Sequence, residues 1–166
     1  MAGASARPAQ LTIVVLALLA VLLGGAAWWV GGQLGEEQAR DDDRAGALAA
    51  AGTHAVNLLS LDHKSVESDL ARILATSTGQ ARAEYTANAG RLKETTLANK
   101  VVQHGVLRAA GLESLSGGTA KVLVVADVEI RWEGSKNAPQ ERFYRWSMEV
   151  TKVSGVWLVS KAVQVL

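Results

Sequence analysis

The hydropathy of this chain changes period along its length, and each change marks an element. From Pro8 to Gly35 no residue is charged, and the apolar heart from Leu11 to Val30 is twenty residues long. As a helix rising ~1.5 Å per residue, that length crosses the ~30 Å hydrocarbon layer of a membrane. Residues 11–32 are therefore predicted to form a transmembrane helix anchored by Leu11, Val15, Leu19 and Leu23, with Trp28 and Trp29 at the headgroup boundary that indoles prefer. A secretory signal would carry a shorter apolar core, about 7 to 15 residues, before a small-x-small cleavage site. Gly25 to Ala27 has that form, so cleavage is the competing reading, and the adjacent tryptophan pair argues for retention. Ala17, Ala20, Gly24 and Ala27 recur three or four apart. They would let a second transmembrane helix approach closely, or they reflect only how common small residues are in such helices.

Beyond the span the period becomes helical. Leu48, Gly52, Val56 and Leu59 recur at helical spacing, so one helix is predicted from Glu36 to about Ser60. Its early half, EEQARDDDRAG, is polar on every side and reads as solvated; residues 33–57 are expected to be a helical stalk, with the packed domain starting at residue 58. At SLDHKS, Asp62 or Ser65 offers an N-cap. Val66, Leu70, Ile73 and Leu74 then form the stripe of a short helix that stops at Thr78-Gly79. Ala81, Tyr85, Ala89 and Leu92 share one side of a third helix, from Gln80 to about Leu97.

From Lys100 the period drops to two. In KVLVVADVEIRW the residues Val122, Val124, Ala126, Val128, Ile130 and Trp132 point one way, and Asp127, Glu129 and Arg131 the other. RFYRWSMEVTKV repeats the pattern, with Tyr144, Trp146, Met148 and Val150 on the apolar side, and EGSKNAPQ connects the two as a hairpin. After the turn Ser154-Gly155, Trp157, Val159, Val163 and Val165 share a face that Lys161 interrupts. The preceding run, VVQHGVLRAAGLESL, contains Gly105 and Gly111 and is predicted to be a bent or bulged strand. Four strands after three helices describe an α+β domain over residues 58–166, with helices on one side of an antiparallel sheet.

Charge orients the chain. Arg7 precedes the span, whereas Glu36, Glu37 and Asp41-Asp42-Asp43 follow it, offset by Arg40 and Arg44. Positive-inside placement makes residues 1–10 a short cytoplasmic N-terminus and puts everything after the span outside. Setting Arg7 aside, 16 basic and 16 acidic residues remain, a neutral balance that argues against a nucleic-acid partner. There is no cysteine, so thiol catalysis, disulfide bracing and cysteine-ligated metals are excluded together. The acidic cluster from Glu36 to Asp43 would suit either a solvated stalk or docking on a basic surface.

Catalytic patterns are sparse. His54, His63 and His104 lie in no metal-ligand spacing, and His63 beside Asp62 sits where a helix start accounts for it. Asp127 and Glu129, two apart on a strand, share the solvated face and are expected to pair with Lys or Arg of a neighbouring strand. No nucleophile elbow or phosphate-cradling glycine loop occurs. Trp132, Trp146 and Trp157, with Tyr144 and Met148, are either core or the wall of an apolar cavity that accepts a lipid. An isomerase or hydratase would need Asp62 or Tyr85 in a pocket, and no pair of titratable groups converges in the sequence. We expect no enzyme activity, metal or cofactor.

The order of parts and several strings resemble the Mce-associated membrane proteins of mycobacteria, small single-span companions of Mce lipid importers. The resemblance runs through RDDDRAGALAAA, NLLSLDHKSVESDLARIL, TGQARAEYT, KVVQHGVLRAAGLESL and the closing VSGVWLVSKAVQV, which looks like a G-x-W-x-V ending. It implies a cystatin-like or nuclear-transport-factor-like cone outside the membrane, as in the inner-membrane scaffold subunit of type IV secretion machines. It also implies a role as accessory subunit of a fatty-acid or sterol importer, with Mce proteins, permease subunits and membrane lipid as partners. The alternative is an anchored domain that itself binds lipid in the tryptophan-lined cavity.

Overall fold

The computed structural model describes residues 37–165. The membrane-span residues Leu11, Val15, Leu19, Leu23, Trp28 and Trp29, and the small-residue stripe Ala17, Ala20, Gly24 and Ala27, lie outside them. Helix α1 covers residues 37–59. It is followed by α2 (Val66–Ala75), α3 (Gly79–Ala98), β1 (Val101–Ser116), β2 (Thr119–Trp132), β3 (Gln140–Val153) and β4 (Val156–Gln164). The strands form one antiparallel meander in the order β1-β2-β3-β4. The expected α+β class, three helices with a four-stranded antiparallel sheet, is what the described residues adopt.

The strands follow their period-two pattern. Val122, Val124, Ala126 and Val128 of β2 are buried, as are Trp146, Met148 and Val150 of β3 and Trp157 and Val159 of β4. Two hairpins turn on paired left-handed residues, Gly117-Gly118 and Ser154-Gly155, the geometry that matches the twist of the flanking strands. Bulges bend the outer strands. Arg108 and Glu113 are the extra residues in β1, and Ser160 is the extra residue in β4. The bulge at Ser160 corrects the expected β4 face. Val159 stays inward, but beyond Ser160 the alternation inverts, so Ala162 packs on the core while Val163 and Val165 are exposed on the opposite side.

Helix α1 lies against the sheet with a stripe of Ala47, Ala51, Ala55 and Leu59, all buried. This is one position away from the expected stripe, since Leu48 and Val56 are only half-buried. It also moves the domain boundary. The compact unit begins at Asp43, not at residue 58, because the alanine-rich half of the expected stalk is core. Glycine makes the approach close enough. A Cβ at Gly105 would stand 2.5 Å from Leu59 Cβ and 3.2 Å from the Val56 carbonyl oxygen, and one at Gly46 would stand 2.7 Å from Trp157 Cδ1.

The two helix connections clip onto the two sheet edges. Gln103 N–H donates to Leu61 O (2.7 Å) and His63 N–H to Val101 O (2.9 Å) at β1. Thr78 N–H donates to Val159 O (2.8 Å) and Val159 N–H to Thr76 O (3.1 Å) at β4. Each clip satisfies backbone groups that an edge strand leaves open. Buried Asp69 of α2 holds the first connection, accepting from Asp62 N–H (2.8 Å) and Ser65 Oγ (3.0 Å) and pairing with Arg72 (2.7 Å). Ser65 is the N-cap residue, but its hydroxyl donates to Asp69 instead of capping the helix. On α3, Ala81 and Thr96 are buried and Tyr85 and Ala89 half-buried, while Leu92, expected inside, is exposed.

Candidate functional site

The interior polar group is built from three elements. α1 supplies His54 and Asn57, the α2–α3 connection supplies Thr76, and α3 supplies Tyr85. His54 is fully buried. Its Nδ1 lies 2.8 Å from Thr76 Oγ1 and its Nε2 lies 3.2 Å from Tyr85 Oη. The Thr76 hydroxyl already donates to backbone carbonyls, at 3.0 Å to Arg72 O and 3.1 Å to Ile73 O. It therefore accepts from His54, which places the imidazole proton on Nδ1 and lets Nε2 accept from the tyrosine. Asn57 Nδ2 approaches the same hydroxyl at 3.4 Å.

Electrostatics keep this group neutral. Burial pushes His54 from 6.5 to about 4, and burial, then the charge of Glu84, pushes Tyr85 up to about 12. At neutral pH a neutral imidazole accepts from a neutral phenol, and both ring nitrogens are occupied. The pair braces three helical segments, and its ring partners among the described residues are hydroxyls, not a carboxylate.

Asp62 and Tyr85, the two residues an isomerase would call on, do not meet. Asp62 Oδ1 accepts from Lys64 N–H at 2.8 Å and lies 3.3 Å from the buried His63 Nδ1, outside hydrogen-bond geometry. His63 Nε2 reaches Glu133 at 2.6 Å, and Lys64 Nζ reaches the same carboxylate at 2.8 Å. The Lys64 hydrogen bond is the chief reason the Glu133 carboxyl is held below its usual range. This cluster fastens the α1–α2 connection to the β2–β3 turn. Among the described residues no group of three His, Cys, Asp or Glu side chains is arranged to hold a metal ion.

The aromatic residues separate along the sheet. Tyr144 and Trp146 stack with ring centroids 5.1 Å apart and planes within 7°. Trp146 and Met148 are buried in the core. Trp157 lies at the β3–β4 hairpin end, under Gly46, with its indole N–H unpaired among the described residues and the Lys152 ammonium 5.8 Å above the ring. Trp132 is half-buried opposite Val101 at the far end of β2, roughly 26 Å of strand from Val124, the residue opposite Trp146. The three tryptophans thus do not wall one cavity.

On the solvent face Asp127 pairs with Arg108 of β1, and Glu129 with Arg131 of its own strand at 2.6 Å. His104, which has no carboxylate near it in sequence, stands directly opposite Glu129. The outward side chains Val106, Leu123, Phe143 and Val163 are not marked as functional by the sequence pattern. The signal it does carry is two large apolar residues, Leu123 and Phe143, at positions the alternation reserves for polar ones.

A family profile described as "Uncharacterized protein Rv1363c/MT1408-like" matches residues 6–165. This chain belongs to that family. Within it, Rv1363c of Mycobacterium tuberculosis (strain ATCC 25618 / H37Rv) is 32% identical over 127 residues, covering 75% of this chain and 48% of the relative. The chain thus spans about half the length of that protein. Among solved structures, VirB8 of Agrobacterium tumefaciens superposes with a TM-score of 0.60 at 12% identity, covering 75% of this chain and 92% of that one. The periplasmic domain of DotI gives 0.59 at 16%, covering 71% and 91%. ActVI-ORFA of Streptomyces coelicolor gives 0.54 at 18%, covering 74% and 93%. At these identities the likeness establishes the fold of this Rv1363c/MT1408-like domain, the α+β architecture that VirB8 and the DotI periplasmic domain share.

Proposed function

We propose that this Rv1363c/MT1408-like chain is a non-enzymatic accessory subunit of an Mce-type lipid import complex. Residues 11–32 hold it in the cytoplasmic membrane, and the domain from Asp43 onward contacts Mce proteins and permease subunits outside. The observation that carries the reading is how the interior is occupied. Buried His54 spends both ring nitrogens on Thr76 and Tyr85, and the inward side chains of β2 and β3 pack on the alanine stripe of α1. What the domain offers to other molecules is therefore its surface. Three lines support the placement: the uncharged run before Gly35, a fold shared with the periplasmic domain of DotI, and the strings that resemble Mce-associated proteins.

The test is a mild-detergent pull-down of the tagged chain from its own membranes, with quantitative mass spectrometry, beside lipid uptake in a deletion strain. Permease, ATPase and Mce subunits in fixed proportion, with impaired uptake on deletion, are expected. Recovery of the chain alone together with unchanged uptake would sink the proposal.

A further inference from the structure

The face of the sheet turned away from the helices carries an apolar band that the core does not use. Register fixes its members. Val106 stands opposite Asp127, which stands opposite Phe143, while Gly111, Leu123, Ser147 and Val163 form a row across all four strands. Phe143 is 70% exposed, Val163 47%, Leu123 46% and Val106 37%. Surface apolar residues scattered singly are ordinary; here four share one face, set two by two across Asp127 and Ser147, and are left open to a partner.

At Phe143 the band runs into a pocket of about 250 Å³ whose wall includes His104, Arg108, Asp127, Glu129 and Glu141. Arg108 and Arg131 already engage Asp127 and Glu129. Glu141 has no ion-pair partner among the described residues, and it stands directly opposite Glu129, where like charges are unfavourable. This end of the face therefore favours an added cation, and the exposed Phe143 ring beside it offers a cation–π surface. A membrane of anionic lipids is disfavoured, because these carboxylates would face its negative surface.

We propose that this face docks a segment of a partner protein that lays apolar side chains along Val106, Leu123, Phe143 and Val163 and sets one arginine or lysine into the Glu141 pocket. The proposal rests on the accessory-subunit reading and names the surface by which the domain meets its complex.

The experiment places a photoreactive benzoylphenylalanine at Phe143 of the full chain in its own membranes, with parallel placements at exposed Leu97 on α3 and Val156 by the β3–β4 turn. Cross-linked peptides are then sequenced. The expected adduct is specific to position 143 and joins an apolar segment of a complex subunit that contains a basic residue. Glu141→Lys should lower its yield about tenfold, the loss of ~1.4 kcal/mol in docking, and exchanging the partner's basic residue for glutamate should restore it. An adduct to a second copy of the chain or to lipid alone overturns the proposal, as does a yield indifferent to Glu141→Lys. Subunits captured from Leu97 or Val156 but not from Phe143 overturn this surface and leave the subunit reading standing. Capture from none of the three removes both.

Discussion

His54→Gln should change how stability responds to acid. In the folded domain the imidazole stays neutral to about pH 4, whereas in the unfolded chain it titrates near 6.5. Between those values the unfolded state binds a proton that the folded state does not, so stability is intact above 6.5 and falls as pH drops toward 4. From pH 7 to pH 5 the wild type crosses roughly 1.5 pH units of that window at ~1.4 kcal/mol each, a loss of about 2 kcal/mol. Glutamine keeps a polar group at the site and cannot titrate, so its share of the loss vanishes. His63, His104 and every carboxylate are common to both proteins and cancel in the comparison. The assay is urea unfolding of the full chain in mild detergent at pH 7 and pH 5, followed by tryptophan fluorescence, since Trp146 and Trp157 are buried. With a urea slope near 2 kcal/mol per molar, the wild-type midpoint should fall by about 1 M more than the variant's. Equal falls in the two proteins would refute the claim that burial holds His54 neutral.

Gly105→Ala should destabilise the domain by about 1–3 kcal/mol, because its methyl would meet Leu59 and the backbone of α1, while Gly111→Ala, with nothing within 4 Å, should leave the thermal midpoint within a few degrees of wild type. Asp69→Asn keeps the shape but removes the charge that Arg72, Ser65 and the Asp62 amide all address. A loss of about 2–4 kcal/mol in denaturant unfolding is expected, with faster amide exchange at Gln103 as the connection loosens from β1. Phe143→Ser, at an exposed position, should change stability by no more than about 0.5 kcal/mol, checked by the same denaturation.

The strands are legible in the sequence because valine and aromatic residues alternate with charges over long runs, and a sustained period of two suits little but a half-buried strand. The third helix is legible almost to its ends. The pattern reads the first helix one position off, because alanine is nearly silent in hydropathy; Leu48 and Val56 draw the stripe toward themselves while Ala47, Ala51 and Ala55 go inside. Val163 and Val165 read as inward because a single extra residue, Ser160, inverts a strand without leaving a compositional trace. The contact of His54 with Tyr85, 31 residues away, and the outer band depend on which positions stand side by side, and no local window contains that information.

The packing of α1 also sets an order of events during synthesis. Asp43 is held by Lys152, 109 residues later, and the alanine stripe that follows Asp43 finds part of its cover in Trp157 of β4. A ribosome-bound chain that has emerged only as far as β3 can close the β1–β2 and β2–β3 hairpins and offer their inward side chains to α1, yet Trp157 of β4 is still missing from the cover at Gly46. Closing so long a loop carries an entropic penalty that only the completed contact offsets. Until β4 arrives, the N-terminal half of α1 has only part of its cover, and the surface left waiting is a stripe that sequence alone shows as harmless alanine.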